Sequence, residues 1–241
     1  MASDEKEPRA GVYLARRERA KPLPLRRGEL RAGLSYNWRA VAEGELKSAK
    51  KQVRVLSSDV VFQGRVFGVR RDRVIEPSGV EATREYVTHS GSVVVLPVFP
   101  DGRILLIRQY RYAARQYLWE LVAGRKDEGE NFAQGAKREL EEETGYSARK
   151  LTKILDIFPS PGFVSENMVI FVAEGLTKGV ARPEADEKIT QRVVTLRDAE
   201  AWIRSGRIRD AKSVAGVLYY SRFLAKKKRA RASVLEAWAA R

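Results

Sequence analysis

The chain contains no cysteine and only one histidine, His89, among its 241 residues. Disulfide bridges, thiolate catalysis and metal sites built from cysteine or several histidines are therefore excluded. Any bound metal must be a hard cation held by oxygen atoms, which 31 Asp and Glu residues supply. His89 follows a predicted strand and precedes Ser90 and Gly91, which favours a turn or capping role over one in catalysis.

Long apolar runs are also missing. No stretch approaches the roughly 20 apolar residues that a membrane-spanning helix needs. The first residues are acidic and are followed by no apolar segment of the kind that secretory signals contain. These observations predict a cytoplasmic protein.

The net charge of +15 is concentrated at the two ends of the chain. Residues 1–54 carry 14 Lys and Arg against 7 Asp and Glu, and residues 221–241 carry 7 against 1. The basic ends either keep the chain soluble or bind nucleic-acid phosphates, and the sequence leaves both open. The charge and composition predict three parts: a basic N-terminal arm at 1–52, a folded domain at 53–225 and a basic C-terminal tail at 226–241.

Segments rich in Val and Thr, separated by Gly, Pro and Ser, predict strands. They lie at Val60–Gln63, Arg65–Val74, Glu81–Thr88, Ser92–Phe99, Ile104–Tyr110, Leu118–Val122, Leu151–Phe158, Met168–Ala173 and Thr190–Leu196. The run at Ser92–Phe99 is apolar throughout, which predicts burial on both faces. The turn residues Pro100, Asp101 and Gly102 predict that this strand forms a hairpin with the next one.

Helices are predicted at 12–20, 38–50, Asn131–Thr144, Arg197–Arg204 and Asp210–Ala225. Gly145 is expected to end the helix at Asn131–Thr144 in the left-handed conformation. A helix inserted among mixed strands predicts the α+β class, with a mixed β-sheet sandwiched between helices in an α/β/α arrangement.

One predicted helix carries an unusual cluster of acidic residues. Residues 124–146 read GRKDEGENFAQGAKRELEEETGY, and Glu139, Glu142 and Glu143 lie at positions i, i+3 and i+4 on one helix face. Like charges at this spacing repel each other. The pattern therefore indicates either a solvated acidic face or a site for a divalent cation that offsets the repulsion.

This segment resembles the Nudix box, G-x5-E-x7-R-E-U-x-E-E-x-G-U, and only Tyr146 departs from it, standing where an aliphatic residue is usual. The fixed positions are matched by Gly124, Glu130, Arg138, Glu139, Leu140, Glu142, Glu143 and Gly145. The resemblance implies a Nudix fold and a hydrolase that cleaves a pyrophosphate with Mg²⁺ or Mn²⁺. Because every carboxylate of the box is retained, a module that senses a nucleotide without cutting it is disfavoured.

The resemblance also implies a role for each residue of the box. Glu139, Glu143 and the Ala123 carbonyl are expected to bind the metal, with Glu142 on a second ion or a bound water. Gly124 is expected to let the backbone turn tightly, so that the Ala123 carbonyl faces the metal. Two further residues are expected to support the carboxylates, namely Glu130 from outside the metal shell and Arg138 by fixing their rotamers.

Sequence outside the box looks like the ADP-ribose pyrophosphatase branch of the family. The segments Arg108–Ala113, Leu118–Gly124 and Ser160–Phe163 carry this likeness, together with the position of Pro161 after the box. It implies a homodimer that cleaves ADP-ribose to AMP and ribose 5-phosphate. The alternatives are another nucleotide sugar or dinucleoside polyphosphate as substrate, or a nucleic-acid- or ribosome-associated protein that acts through its basic ends.

Residues for substrate and water are implied by position within that branch. Arg84, Arg111, Glu120 and Pro161 are expected to contact the substrate, and Tyr110 and Tyr112 are expected to bury part of the strand that carries Arg111. A carboxylate in the loop at 184–188 is expected to position or deprotonate the attacking water. Glu187 is the leading candidate for that carboxylate, while Glu184 and Asp186 remain competitors.

Overall fold

The structure is a computed structural model that describes residues 52–183 and 188–225. The helices predicted at 12–20 and 38–50 and the tail at 226–241 lie outside the described residues. Within the described ranges, no helix combines the length and the apolar character that crossing a membrane requires.

An antiparallel sheet of three strands opens the described part of the chain. It comprises β1 (Arg54–Gln63), β2 (Gly68–Ile75) and β3 (Glu81–Thr88), in the order β1-β2-β3. β1 begins six residues before the predicted strand at Val60. Large apolar side chains of β1 are exposed to solvent, namely Val55, Val60, Val61 and Phe62. Phe67, in the turn between β1 and β2, is exposed as well.

Seven further strands form two sheets. They are β4 (Ser92–Pro97), β5 (Ile104–Arg111), β6 (Gln116–Glu120), β7 (Val122–Arg125), β8 (Tyr146–Ile157), β9 (Met168–Lys178) and β10 (Thr190–Val194). One sheet has the order β7-β4-β9-β8 and is mixed, because β4 and β9 run parallel. The other is antiparallel and has the order β10-β5-β6.

In the described part of the chain, three α-helices accompany these sheets: α1 (Phe132–Thr144), α2 (Leu196–Arg204) and α3 (Ala211–Tyr219). α1 begins at a capping box, in which the Asn131 side chain accepts from the backbone of Ala133 and Gln134 and the Gln134 side chain accepts from the Asn131 N–H. It ends at Gly145, whose φ of 74° is left-handed, as predicted.

Alternate residues of β4 face opposite layers of the protein. Val93 and Val95 belong to the same core cluster as Leu140 of α1, whereas Val94 and Leu96 belong to the cluster that contains Val217 of α3. Every residue of β4 is buried, as its apolar run predicted. Helices therefore cover both faces of the mixed sheet, which confirms the α+β class and the α/β/α arrangement.

The predicted hairpin between Ser92–Phe99 and Ile104–Tyr110 is wrong. The turn itself forms, since the Gly102 N–H donates to the Phe99 carbonyl and Val98 bridges Ile104. The strands then separate into different sheets, because β4 already pairs with β7 on one side and with β9 on the other. No free edge of β4 is left for β5.

Two other elements differ from their predictions. The strand expected at Leu118–Val122 is interrupted at Leu121, whose N–H donates to the buried Ser213 hydroxyl at 2.7 Å. As a result, β6 joins one sheet and β7 the other. The helix expected at Asp210–Ala225 is α-helical only to Tyr219 and then continues as a π-helical turn.

Candidate active site

The carboxylates of α1 lie directly against β7. A Cβ atom added to Gly124 would stand 1.9 Å from Cδ of Glu139, so the Glu139 carboxylate occupies the space that any side chain at 124 would need. Glu143 is only 3% exposed and accepts a hydrogen bond from the Ala123 N–H at 3.2 Å. The expected tight turn at Gly124 is wrong, because β7 runs straight through this residue. Glycine is required there by the close approach of Glu139.

Arg138 holds the acidic cluster together. Its Nε donates to Glu130 Oε1 at 2.9 Å, and its Nη1 donates to Glu139 Oε1 at 2.7 Å and to Glu142 Oε2 at 3.0 Å. Its Nη2 donates to the Arg125 carbonyl at 3.0 Å. The predicted pairing of Arg138 with the carboxylates is confirmed. These contacts, the hydrogen bond to Glu130 foremost, raise the pKa of Arg138, so it stays a cation.

The same hydrogen bond lowers the pKa of Glu130. A lowered carboxyl pKa stabilises the fold above the pKa of the unfolded chain, and that stabilisation is lost as the pH falls through the folded-state value. We expect Arg138→Met to raise the pKa of Glu130 toward its ordinary value, measured by carbon NMR titration of the side-chain carboxyl. Arg103→Met, which removes an exposed partner of Asp101, is the control and should leave the pKa of Glu130 unchanged.

The donor set fits a hard divalent cation. Glu139 and Glu143 stand one helical turn apart and meet neighbouring residues of β7, Gly124 and Ala123. The candidate ligand atoms, those of the two carboxylates and the Ala123 carbonyl, are all oxygens, which Mg²⁺ and Mn²⁺ prefer. In the described ranges, no group of three acidic side chains already converges in the arrangement of a metal site. The Arg138 guanidinium binds Glu139 and Glu142 instead.

A second charged cluster joins β5, β6 and the start of α3. Glu120 is 1% exposed and receives two cations: Arg111 Nη2 lies 2.7 Å and Lys212 Nζ 2.5 Å from its Oε2. Lys212 Nζ also lies 2.9 Å from Oδ1 of Asp210, the N-cap residue of α3. Burial alone would lower the pKa of Arg111, but its bonds to Glu120 raise it, and the charge of Glu143 adds to that effect. The cluster therefore lies within electrostatic reach of the α1 carboxylates.

The rings on either side of Arg111 are largely exposed. Tyr110 and Tyr112 are 48% and 73% exposed, so the expectation that they bury this part of the strand is wrong. Glu120 secures the guanidinium instead. No site role was predicted from the sequence for Lys212 or Asp210. An Asp three residues before Ser213 at the predicted start of a helix is typical of an N-cap residue, and this pattern indicated a structural role for Asp210.

We expect Lys212→Met to lower the free energy of unfolding by about 3 kcal/mol, because it removes one of the two cations from a buried carboxylate. Urea unfolding followed by circular dichroism would measure the loss. Lys153→Met is the matched control, since Lys153 pairs with Asp156 at the surface, and its loss should be at most about 1 kcal/mol. Equal losses in the two variants would contradict a buried role for Lys212.

The remaining predicted substrate residues lie on other elements of the fold. Arg84 is exposed on β3 and pairs with Glu76 at 2.5 Å. Pro161 is exposed in the turn that follows β8. His89 accepts a hydrogen bond from the Gly91 N–H on its Nδ1 at 3.1 Å, which confirms its predicted role in a turn.

The three candidate loop carboxylates, Glu184, Asp186 and Glu187, lie outside the described residues. The described residues on either side contact the end of α1. The Arg182 N–H donates to the Glu142 carbonyl at 2.8 Å, and Gln191 Nε2 donates to the Glu143 carbonyl at 3.2 Å. The described residues Arg182 and Gln191, which flank these three candidates, therefore both contact the C-terminal end of α1.

Comparison with known proteins identifies the family. Residues 88–215 match the model of the NUDIX domain, which includes the whole acidic motif. The chain belongs to the Nudix family. The preceding residues 53–87, which hold β1, β2 and most of β3, match the nucleoside diphosphate sugar hydrolase N-terminal domain. The protein is therefore a Nudix hydrolase.

The alignments with similar proteins cover most of the length of those proteins. The chain is 38% identical to the ADP-ribose pyrophosphatase of Bacillus subtilis (strain 168), over 69% of this chain and 91% of that protein. It is 35% identical to the ADP-ribose pyrophosphatase of Mycobacterium tuberculosis, over 70% of this chain and 84% of that protein. The methanol dehydrogenase activator of Bacillus methanolicus is also similar, with 34% identity over 69% of this chain and 91% of that protein.

A solved structure supports the fold. The crystal structure of an ADP compounds hydrolase aligns with a TM-score of 0.66 and 24% identity, over 74% of this chain and 97% of that one. The Nudix fold predicted from the motif is confirmed.

Proposed function

We propose that this Nudix hydrolase cleaves ADP-ribose to AMP and ribose 5-phosphate with Mg²⁺, Mn²⁺ being able to replace it. The observation that carries the proposal is the packing of Glu139 and Glu143, one helical turn apart, against Gly124 and Ala123, which brings two carboxylates to the same part of β7. The substrate is suggested by the two relatives named as ADP-ribose pyrophosphatases, at 38% and 35% identity. The same relatives make a nucleic-acid or ribosomal role the weaker alternative.

In this mechanism Glu139, Glu143 and the Ala123 carbonyl hold the metal, and Glu142 serves a second ion or a bound water. A bound Mg²⁺ polarises phosphoryl oxygens and lowers the pKa of a water molecule. Arg138 keeps the carboxylates of Glu130, Glu139 and Glu142 in place, and its hydrogen bond to the Arg125 carbonyl fixes the guanidinium itself. The chain itself thus supplies position and charge, as phosphoryl transfer chiefly requires.

Arg111 and Glu120 form the proposed phosphate-binding side of the site. Arg111 uses Nε and Nη2 for Glu120, and its Nη1 makes no hydrogen bond to the described residues. We assign that Nη1 to a phosphate oxygen of the substrate. Arg84 and Pro161 complete the proposed substrate contacts.

Glu187 is the proposed carboxylate that positions or deprotonates the water, with Asp186 and Glu184 as competitors. Changing each singly to the amide should identify it, since only one variant should lose most of kcat at saturating metal. Three variants with parental kcat would exclude this loop from the chemistry.

The proposal includes a homodimer in the cytoplasm. The exposed apolar side chains of β1 and the following turn, such as Val60, Phe62 and Phe67, supply a surface for a second copy. Light scattering after gel filtration should then give twice the chain mass of 27.2 kDa. A monomer at micromolar concentration would contradict the dimer. The complete absence of cysteine is compatible with the cytoplasm.

A substrate panel tests the function directly. Purified protein with Mg²⁺ would be offered ADP-ribose, nucleotide sugars and diadenosine polyphosphates, and the products resolved by chromatography. We expect AMP from ADP-ribose at the highest kcat/KM. A preference for another compound would replace the substrate but keep the chemistry. Inactivity on the whole panel together with RNA or DNA retention across a salt series would favour the nucleic-acid alternative.

A further inference from the structure

A buried amide on β5 has an unused donor. Gln109 is only 5% exposed, and its Nε2 makes no hydrogen bond to any described residue. A buried N–H group without a partner is unfavourable, and nearly all such groups in native proteins are hydrogen-bonded. Gln109 is therefore expected to find its partner in the working state of the enzyme.

The position of Gln109 indicates that partner. Side chains alternate along a strand, so Gln109 shares one face of β5 with Ile107 and Arg111. Ile107 packs in the core cluster that contains Leu140 of α1. Gln191, which pairs with Ile107 across β10, donates to the Glu143 carbonyl at 3.2 Å.

Arg111, the neighbour of Gln109 on the other side, is also linked to Glu143. The pKa of Arg111 is raised chiefly by its bonds to Glu120, and the charge of Glu143 also contributes. The two neighbours of Gln109 on this face are thus linked to Glu143, Ile107 through its strand partner Gln191 and Arg111 through charge. The substrate is a poor candidate for the partner, because Nε2 is buried within the protein.

A carboxylate that binds a metal needs further hydrogen bonds to fix its orientation. The two oxygens of the Glu143 carboxylate offer about four acceptor positions, of which the Ala123 N–H uses one. We propose that Gln109 is a positioning residue whose amide donates to the Glu143 carboxylate in the metal-loaded enzyme. This inference rests on the proposed role of Glu143 as a metal ligand.

The test is a metal titration without substrate. Gln109→Met keeps the length of the side chain and removes its donor. In full-length protein titrated with Mn²⁺ and followed by electron paramagnetic resonance, its affinity should fall about 10- to 100-fold. In EDTA its Tm should be no lower than that of the parent, because the variant no longer buries an unpaired amide.

Two further variants sharpen the result. Gln116→Met is the matched control from the same sheet; its Nε2 donates to the Ala114 carbonyl at 3.2 Å, and parental Mn²⁺ affinity is expected. Gln109→Asn retains the amide but draws it back by one methylene, and should lose affinity like Gln109→Met. It also serves if the methionine variant fails to fold.

The outcomes separate this inference from the proposed function. Parental Mn²⁺ affinity in both Gln109 variants would overturn the positioning role, and a lower Tm in EDTA at parental affinity would show that the amide only supports the fold. A parent protein that binds no Mn²⁺ would overturn the metal site itself and this inference with it. Loss of affinity at parental Tm would support the inference.

Discussion

Glu143→Gln should lower kcat roughly a thousandfold, which corresponds to about 4 kcal/mol of transition-state stabilisation. The amide has the shape of the carboxylate but lacks the charge that holds a divalent cation. Its oxygen can still accept the hydrogen bond from the Ala123 N–H, so the fold should persist. Steady-state kinetics on ADP-ribose and circular dichroism would measure the two effects.

The neighbouring Glu141 provides the matched control for this variant. It lies on the same helix but is exposed and falls at the variable position of the box. Glu141→Gln makes the same chemical change and should retain parental kcat. A fully active Glu143→Gln enzyme would overturn the assignment of Glu143 as a metal ligand.

Gly124→Ala should lower kcat/KM at least about a hundredfold, the cost of a displacement of roughly 1 Å in a reacting site. The new methyl group would overlap Glu139 Cδ, which stands 1.9 Å from the position of the added Cβ. The carboxylate is the far end of a flexible side chain and can rotate away from the methyl group at the expense of its hydrogen bond from Arg138. Stability should therefore change little, since alanine is favoured over glycine within a strand by about 0.5–1 kcal/mol.

A double-variant cycle shows whether Gly124→Ala acts through Glu139. If it does, Gly124→Ala added to Glu139→Ala should cause no further loss of kcat/KM. Additive losses would mean that the methyl group disturbs something else. Parental activity in the single Gly124→Ala variant would contradict the close approach of Glu139 in solution.

The candidate site illustrates what a motif can and cannot predict. The spacing of Glu139 and Glu143 was enough to place them together, because a helix puts residues four apart on one face whatever surrounds it. The helix boundaries followed from Asn131 and Gly145 for the same local reason. The reason for Gly124 was not predictable, because it depends on a side chain from another element.

Long-range pairing accounts for the other errors. The turn at Pro100–Gly102 was predicted correctly, but the partners of β4 are β7 and β9, which lie far along the chain. The interruption at Leu121 depends on Ser213, 92 residues away. The cation Lys212 reaches Glu120 over the same separation. No local pattern carries such information.

The interruption at Leu121 has a consequence for the geometry of catalysis. Glu120, which binds the proposed phosphate-binding residue Arg111, and Ala123, whose N–H donates to Glu143 of α1, are separated by only two residues of the chain. Three peptide steps span at most about 11 Å. The backbone therefore limits the distance between Glu120 and Ala123, and the hydrogen bond from the Leu121 N–H to the Ser213 hydroxyl fixes the position of the chain between them. A single residue inserted beside Leu121 would increase the distance that the backbone allows between Glu120 and Ala123. Insertions in loops elsewhere would leave that distance unchanged.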